Sequence, residues 1–143
     1  MDDEGSAALE FIAVGVILLV PLVYLIIALG AIQEQTLGVE AAARHTMRAI
    51  ALAPSAEAAE TRGEQVLASV VEQYGLDAGS LEMSMTCPGE GGECPRAGET
   101  ATLTITADVS LPLIPAVFGL ESAATITVEG SSVQKMSRTW GEQ

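Results

Sequence analysis

Residues 11–32, near the start of the chain, read FIAVGVILLVPLVYLIIALGAI and contain no charged side chain. As an α-helix these 22 residues would be about 33 Å long, and the hydrocarbon core of a bilayer is about 30 Å thick. Fifteen of them are Leu, Ile, Val or Phe, which corresponds to about −5 to −9 kcal/mol of apparent insertion free energy. The stretch therefore predicts a membrane-spanning helix. A buried core helix is disfavoured, because a chain of 143 residues is too small to surround one.

A cleaved secretory signal is the stronger alternative to a permanent span. Residues 28–30, Ala-Leu-Gly, form a tolerable cleavage site. However, the apolar run is long for the central region of a signal, and no basic residue precedes it.

The composition is acidic as well as apolar. Six Lys and Arg residues stand against 19 Asp and Glu, which gives a net charge of −13. Six scattered cations cannot build the basic face that a nucleic-acid-binding protein needs. Hydrophobic residues make up 49% of the chain, which excludes disorder as its overall state.

Two helices are predicted from the spacing of apolar residues. Helix formers continue after the apolar run until Pro54, so one helix is predicted over about residues 6–53, projecting beyond the bilayer as a stalk. After an N-cap candidate at Ser55, residues 56–74 predict an amphipathic helix that Gly75 stops. Its apolar face consists of Val66, Leu67, Val70, Val71 and Tyr74, and its acidic side consists of Glu57, Glu60, Glu64 and Glu72.

Three runs of alternating apolar and polar residues follow, over residues 81–87, 100–109 and 124–129. A period of two predicts three strands, each with one buried face and one wet face, and we expect the first two to be an antiparallel pair. The fold class is therefore α+β: a long N-terminal transmembrane and stalk helix, a second helix and a small three-stranded antiparallel sheet. We expect residues 54–143 to form a small domain that is marginal by itself, which is typical of an assembly subunit.

Cys87 and Cys94 are the only cysteines and enclose Pro-Gly-Glu-Gly-Gly-Glu. The spacing suits neither a zinc site nor a redox motif, so a disulfide is favoured over two free thiols. A disulfide needs an oxidising compartment. Arg44 and Arg48, which follow the span, would by charge bias place the C-terminal part in the cytoplasm. That bias rests on two residues, so we give the cysteines more weight and expect a single-pass plasma-membrane protein with its domain outside.

The connection before the third predicted strand, residues 111–120, is apolar, and Pro112 and Pro115 exclude a central strand there. It is either a loop tucked over the sheet or an exposed patch for a partner, and the sequence leaves both open. The patch would consist of Leu111, Leu113, Ile114, Val117 and Phe118.

The sequence offers no catalytic, cofactor-binding or metal-binding constellation. His45 is the only histidine and lies in a helical run, where a surface position is expected. No Gly-rich phosphate loop joins a strand to a helix, and the carboxylates do not have the spacing of an EF-hand loop. We therefore predict a protein that is not an enzyme and has no cofactor and no small-molecule substrate.

Glu10 is the one charged residue that directly adjoins the apolar run, and small or apolar residues precede it back to Ser6. A carboxylate at the edge of the hydrocarbon is costly and suggests a function. If the chain were cut after Gly5, Glu10 would be the fifth residue of the product and could pair with the Ser6 ammonium of a neighbour. The alternative is a flanking acid that reaches back to the interface.

The segment Gly5-Ser6-Ala-Ala-Leu-Glu10-Phe11, followed by a long apolar helix, resembles the processing motif of type IV pilins. With Glu4 before it and Pro21 inside the run, it is most similar to the TadE-like and TadF-like minor pilins of tight-adherence (type IVc) pili. The match covers about 30 residues, and the Thr-rich strands and the Leu-Pro-Leu-Ile-Pro connection add a weaker likeness. The first residues here are acidic, whereas leaders of that family usually carry basic residues.

The resemblance implies a leader over residues 1–5 that a prepilin peptidase removes between Gly5 and Ser6. It also implies that Glu10 and Phe11 set the register of assembly. The implied partners are membrane lipid, the pilus assembly platform and other pilin subunits, which the N-terminal helix contacts in an extracellular, adhesive pilus. The alternatives are a membrane-anchored extracellular binding module and a secreted domain. The mature N-terminus separates the three: Ser6 for a pilin, Met1 for an uncut anchor and about Ala31 for a secreted domain.

Overall fold

A single helix dominates the computed structural model, which describes residues 4–89, 94–112 and 125–141, with side chains from Ala7 onward. Helix α1 spans Glu4–Ala51, 48 residues, and is therefore about 72 Å long. It is continuous through Pro21. The helix begins and ends two residues earlier than predicted, and Pro54 follows shortly after its end.

The two halves of α1 differ in their surroundings. Every side chain from residue 7 to residue 27 is exposed except that of Tyr24, which is half-buried. Beyond the apolar run, Val39, Ala42, Ala43 and Met47 are completely buried. The helix is long and apolar enough to cross a membrane, as predicted, and its second half lies inside a folded domain.

Helix α2 spans Ala56–Tyr74, as predicted. The Ser55 hydroxyl accepts a hydrogen bond from the Ala58 amide at 3.2 Å, which satisfies one of the free amides at the helix start. At the other end Gly75 has a φ of 62°, and its amide donates to the Val71 carbonyl. A side chain would disfavour this left-handed conformation, so glycine ends the helix here.

Three antiparallel strands form one sheet in the order β1-β2-β3. Strand β1 is Glu82–Thr86, β2 is Thr100–Ser110 and β3 is Thr125–Lys135. In the register, Met85 lies opposite Leu103, and Ile105 lies opposite Gly130. The predicted α+β class and the antiparallel pairing of β1 with β2 are confirmed.

The domain is built around α1, which contacts β2 and β3 as well as α2. From the sheet, Ala101, Leu103, Ile105 and Ala107 of β2 form the centre of the core. The second half of α1 is therefore an integral part of the domain, where the sequence predicts a projecting stalk.

Two close approaches fix α1 in place. Gly130 of β3 lies directly against the α1 backbone, where an added Cβ would be 2.7 Å from the Val39 carbonyl group and the Glu40 nitrogen. Gly63 of α2 faces Ile50, where an added Cβ would be 3.2 Å from that side chain. The Trp140 indole N–H donates to the Ile50 carbonyl at 3.0 Å, near the end of α1, and this carbonyl also accepts from the Ala53 amide at 3.2 Å.

The prediction of one buried face for every strand is correct for β2 and only partly correct for β1, where Met85 packs against the core and Met83 does not. Met83 of β1 is 51% exposed although it shares a face with the buried Ile105. The reason is that α1 covers β2 and β3 and leaves β1 open. Strand β3 is also longer than predicted, and Ile126 near its start is 40% exposed.

Candidate functional site

The residues of the predicted processing and assembly site lie in the first turns of α1. Gly5 and Ser6 belong to the helix, and Glu10 and Phe11 follow about one turn later. Phe11 is 80% exposed, and Glu10 is exposed as well. Within the described part of the chain Glu10 has no ion-pair partner. A positive charge from another molecule could therefore pair with this carboxylate.

The uncovered half of α1 is an apolar surface on all sides. Its large side chains include Ile17, Leu18 and Ile26, which are 69%, 68% and 62% exposed. An apolar area of this size is stable only against lipid or against other apolar helices. Glu10 lies at the end of this surface that is distant from the folded domain.

The Cys87 and Cys94 sulfur atoms are bonded to each other, as the sequence favoured. Both cysteines are half-buried and pack against the core. The disulfide ties the end of β1 to the segment that leads into β2. Because α1 does not cover β1, this bond, the β1–β2 hydrogen bonds and the partial packing of Met85 against the core hold that strand.

The predicted partner patch is only partly described. Leu111 is half-buried at the end of β2. The other four residues lie outside the described part of the chain: Leu113, Ile114, Val117 and Phe118. Both interpretations of this segment, a tucked loop and an exposed patch, therefore stay open.

The structure adds a cationic surface that the sequence reasoning missed. Arg44, His45 and Arg48 are exposed on the side of α1 that lies open between α2 and β3. Val66, Ser69 and Gln73 of α2 line one side of this surface, and Ser132 and Gln134 of β3 line the other. The four-residue spacing of the two arginines was the available signal, because residues four apart share one face of a helix. His45 is a surface residue, as predicted.

Arg44 has one ion pair, to Glu40 on the preceding turn at 3.5 Å. Both side chains are about half exposed or more, so the pair contributes little to stability. The described residues contain no grouping of three or more His, Cys, Asp or Glu side chains that could hold a metal ion.

No known protein family, no curated protein and no solved structure matches this chain. What can be inferred about function therefore rests on the residues and on the geometry described above.

Reducing the Cys87–Cys94 disulfide is expected to lower the unfolding free energy of the domain by about 2–3 kcal/mol, the loop-closure entropy of so short a loop. Amide exchange should rise first in β1, because that strand lacks the helix cover of β2 and β3. Hydrogen exchange of the full chain before and after reduction measures both effects, and the Cys87→Ser/Cys94→Ser variant should match the reduced protein. Two cysteines that alkylate without prior reduction would contradict the prediction.

Proposed function

We propose that this chain is a structural subunit of a tight-adherence type IV pilus, a TadE-like minor pilin. It is made as a single-pass membrane precursor with its domain outside the plasma membrane. A prepilin peptidase cuts it between Gly5 and Ser6, and it then acts in pilus assembly and adhesion. The single observation that carries the proposal is the division of α1 into an uncovered apolar half and a half that forms the core of a small domain.

The uncovered half suits both environments that a pilin must occupy. Its apolar side chains are compatible with lipid before assembly, and they are equally compatible with a bundle of similar helices afterwards. Since α1 is continuous from residue 4 into the domain, a pull on the domain acts on the membrane segment through one helix. This favours a subunit that is extracted from a bilayer as a unit.

The domain itself supports an extracellular position. Its disulfide is stable in an oxidising compartment and would be reduced in a cytosol. Arg44 and Arg48 lie on the surface of the same folded domain, about 18–24 Å along the helix from residue 32. The charge bias rests on these two residues alone, so the disulfide carries more weight about which side of the membrane the domain occupies.

The mature N-terminus tests the proposal. Intact mass of the protein isolated from membranes of cells that contain the prepilin peptidase should show a chain that begins at Ser6. Replacing Gly5 with leucine should leave the uncut precursor in the membrane, because the peptidase must approach the backbone closely and only glycine has no side chain to obstruct it. A Gly30→Leu variant is a matched control, since an added Cβ there has open space around it, and it should be cut normally.

A mature chain that begins at Met1 would support the anchored binding module, and one that begins at about Ala31 would support a secreted domain. A chain that still begins at Ser6 in the Gly5→Leu variant would contradict the proposed cleavage mechanism.

A further inference from the structure

Two oppositely charged surfaces lie on opposite sides of α2. The first, which we name the cationic strip, consists of Arg44, His45, Arg48 and Leu52 on the open side of α1. The second, which we name the acidic flank, consists of Glu57, Glu60 and Glu64 on α2. All these side chains are exposed. Within the described residues neither Arg48 nor any glutamate of the acidic flank forms an ion pair. Arg44 pairs with Glu40 at 3.5 Å and also lies beside Glu129 of β3, so its contact with a second copy would replace an exposed pair of little stability.

The two surfaces face in different directions. Val66, Ser69 and Gln73 of α2 adjoin the cationic strip. Glu64 instead lines an apolar groove on the other side of α2, together with Leu67, Val71, Leu76 and Leu81. One copy can therefore present its cationic strip to a second copy while its acidic flank remains free for a third.

We infer that the cationic strip of one copy binds the acidic flank of a second copy, in a head-to-tail contact between domains. This inference rests on the proposed function, because it assigns the contact that domains make when the subunits assemble side by side.

Charge makes a second copy of this chain the fitting partner. Each copy has a net charge of −13, and about −10 after the cut removes Asp2, Asp3 and Glu4, so two copies repel unless cations of one lie against carboxylates of the other. Only six Lys and Arg residues exist in the chain, and the strip holds two of them. An anionic lipid headgroup fits less well, because Arg44 lies about 18 Å along the helix from the end of the apolar run, beyond a headgroup layer of about 5–8 Å.

The spacing on the two surfaces also matches. Arg44 and Arg48 are four residues apart on one helix, as are Glu60 and Glu64 on the other, so both pairs have a separation of about 6 Å. Leu52, which is 67% exposed, lies one turn beyond Arg48 and would then meet the α2 turn that contains Glu57.

The contact requires an axial stagger between copies. Gly38 lies beside Tyr74 and Gly63 lies beside Ile50, so the two helices are antiparallel and Glu64 is at about the level of Arg48. Pairing Arg44 with Glu64 and Arg48 with Glu60 therefore shifts the second copy by about four residues, or about 6 Å along the helix axis. A heterologous contact with an axial shift does not close into a ring and generates a helical filament.

Cross-linking in membranes tests the contact without requiring a pilus. Full chains that carry either Leu52→Cys or Glu57→Cys are reconstituted together in neutral lipid vesicles and oxidised. The native cysteines are bonded to each other and do not interfere. We expect a cross-linked dimer from the mixture and at least tenfold less from either variant alone, because the contact joins two different surfaces.

Charge reversal tests the ion pairs. Arg44→Glu with Arg48→Glu, or Glu60→Arg with Glu64→Arg, should each lower cross-linking at least tenfold, and all four changes in the same chain should restore it to within threefold. Lys135→Glu with Arg138→Glu is the matched control, since both residues are exposed and lie outside both surfaces. Fluorescence of Trp140, the only tryptophan, verifies that each variant is folded.

If Leu52→Cys alone gives as much cross-linked dimer as the mixture, the contact is two-fold and the inference is overturned. It is also overturned if the charge-reversal variants cross-link normally, or if the variant with all four changes does not recover the cross-link. Loss of the cross-link when anionic lipid is added would assign the strip to headgroups and overturn it as well. If the chain is not a pilin, the mixed cross-link still forms. If it is a pilin whose domains contact each other through other surfaces, sheared filaments form and the charge reversals do not change their amount.

Discussion

Replacing Gly130 with alanine is expected to lower the unfolding free energy of the domain by about 3 kcal/mol, at the upper end of the usual range for overpacking. The added Cβ would be 2.7 Å from the Val39 carbonyl group and the Glu40 nitrogen. These are backbone atoms of a helix, which cannot rotate away as a side chain can. Helix α1 must therefore move away from β3, and the contacts that bury Leu103 and Ile105 loosen with it. In a domain with a total stability of about 5–15 kcal/mol, this is a large fraction.

Denaturant unfolding of the full chain in detergent measures the effect of Gly130→Ala. The fluorescence of Trp140 is a suitable probe, since its indole N–H is bonded to the Ile50 carbonyl at the end of α1. Gly30→Ala is the matched control, because an added Cβ there meets nothing within 4 Å. If Gly130→Ala unfolds at the same denaturant concentration as Gly30→Ala, α1 does not lie against β3 as described.

The helices were predictable because their signals are local. The bounds of α2 follow from Ser55, whose hydroxyl caps the first turn, and from Gly75, which adopts the left-handed conformation. The length of α1 follows from the absence of proline between Pro21 and Pro54. These signals depend on hydrogen bonds and sterics within a few residues, so a single sequence contains them.

The packing was not predictable, because it depends on which element covers which. The alternation in β1 is as regular as in β2, and only the path of α1 over the sheet leaves Met83 exposed. The Gly-Ser-Ser sequence at residues 130–132 has no apolar alternation, so the sequence pattern does not predict the second half of β3. Gly130 has no side chain, which leaves room for the α1 backbone to lie against β3. Nothing in the sequence around Gly130 indicates that a helix packs there.

The candidate functional residues also fall into a group that local sequence predicts and a group that depends on tertiary structure. Gly5, Ser6, Glu10 and Phe11 were predicted because their order along the chain resembles a processing motif, and their role stays a prediction. The cationic strip was missed because it depends on tertiary structure: α2 and β3 leave the side of α1 with Arg44 and Arg48 open. Charge bias along the sequence treats the same two arginines as a topology signal, whereas their position on the domain surface suggests a contact.

The other large effect is expected at Glu10, where substitution should abolish assembly and leave membrane insertion intact. Removing a carboxylate beside the apolar run makes insertion easier, since a charge there is costly in lipid. In a bundle of cut chains the same change leaves a neighbouring Ser6 ammonium without its partner in a poorly solvated place, at a penalty of several kcal/mol per subunit. Insertion and assembly therefore respond with opposite signs.

Glu10→Ala and the nearly isosteric Glu10→Gln should give normal amounts of correctly cut protein in the membrane fraction and few or no sheared filaments. Glu10→Asp should be intermediate, because the charge remains and its reach is one methylene shorter. Glu34→Gln is the matched control: Glu34 is an exposed carboxylate on the same helix, beyond the apolar run, and its removal should leave filaments unchanged. Glu10 has no ion-pair partner among the described residues of its own chain, so a loss of filaments specific to this position favours a contact with a neighbouring chain. Normal filaments from Glu10→Ala would show instead that the carboxylate only reaches back to the membrane interface.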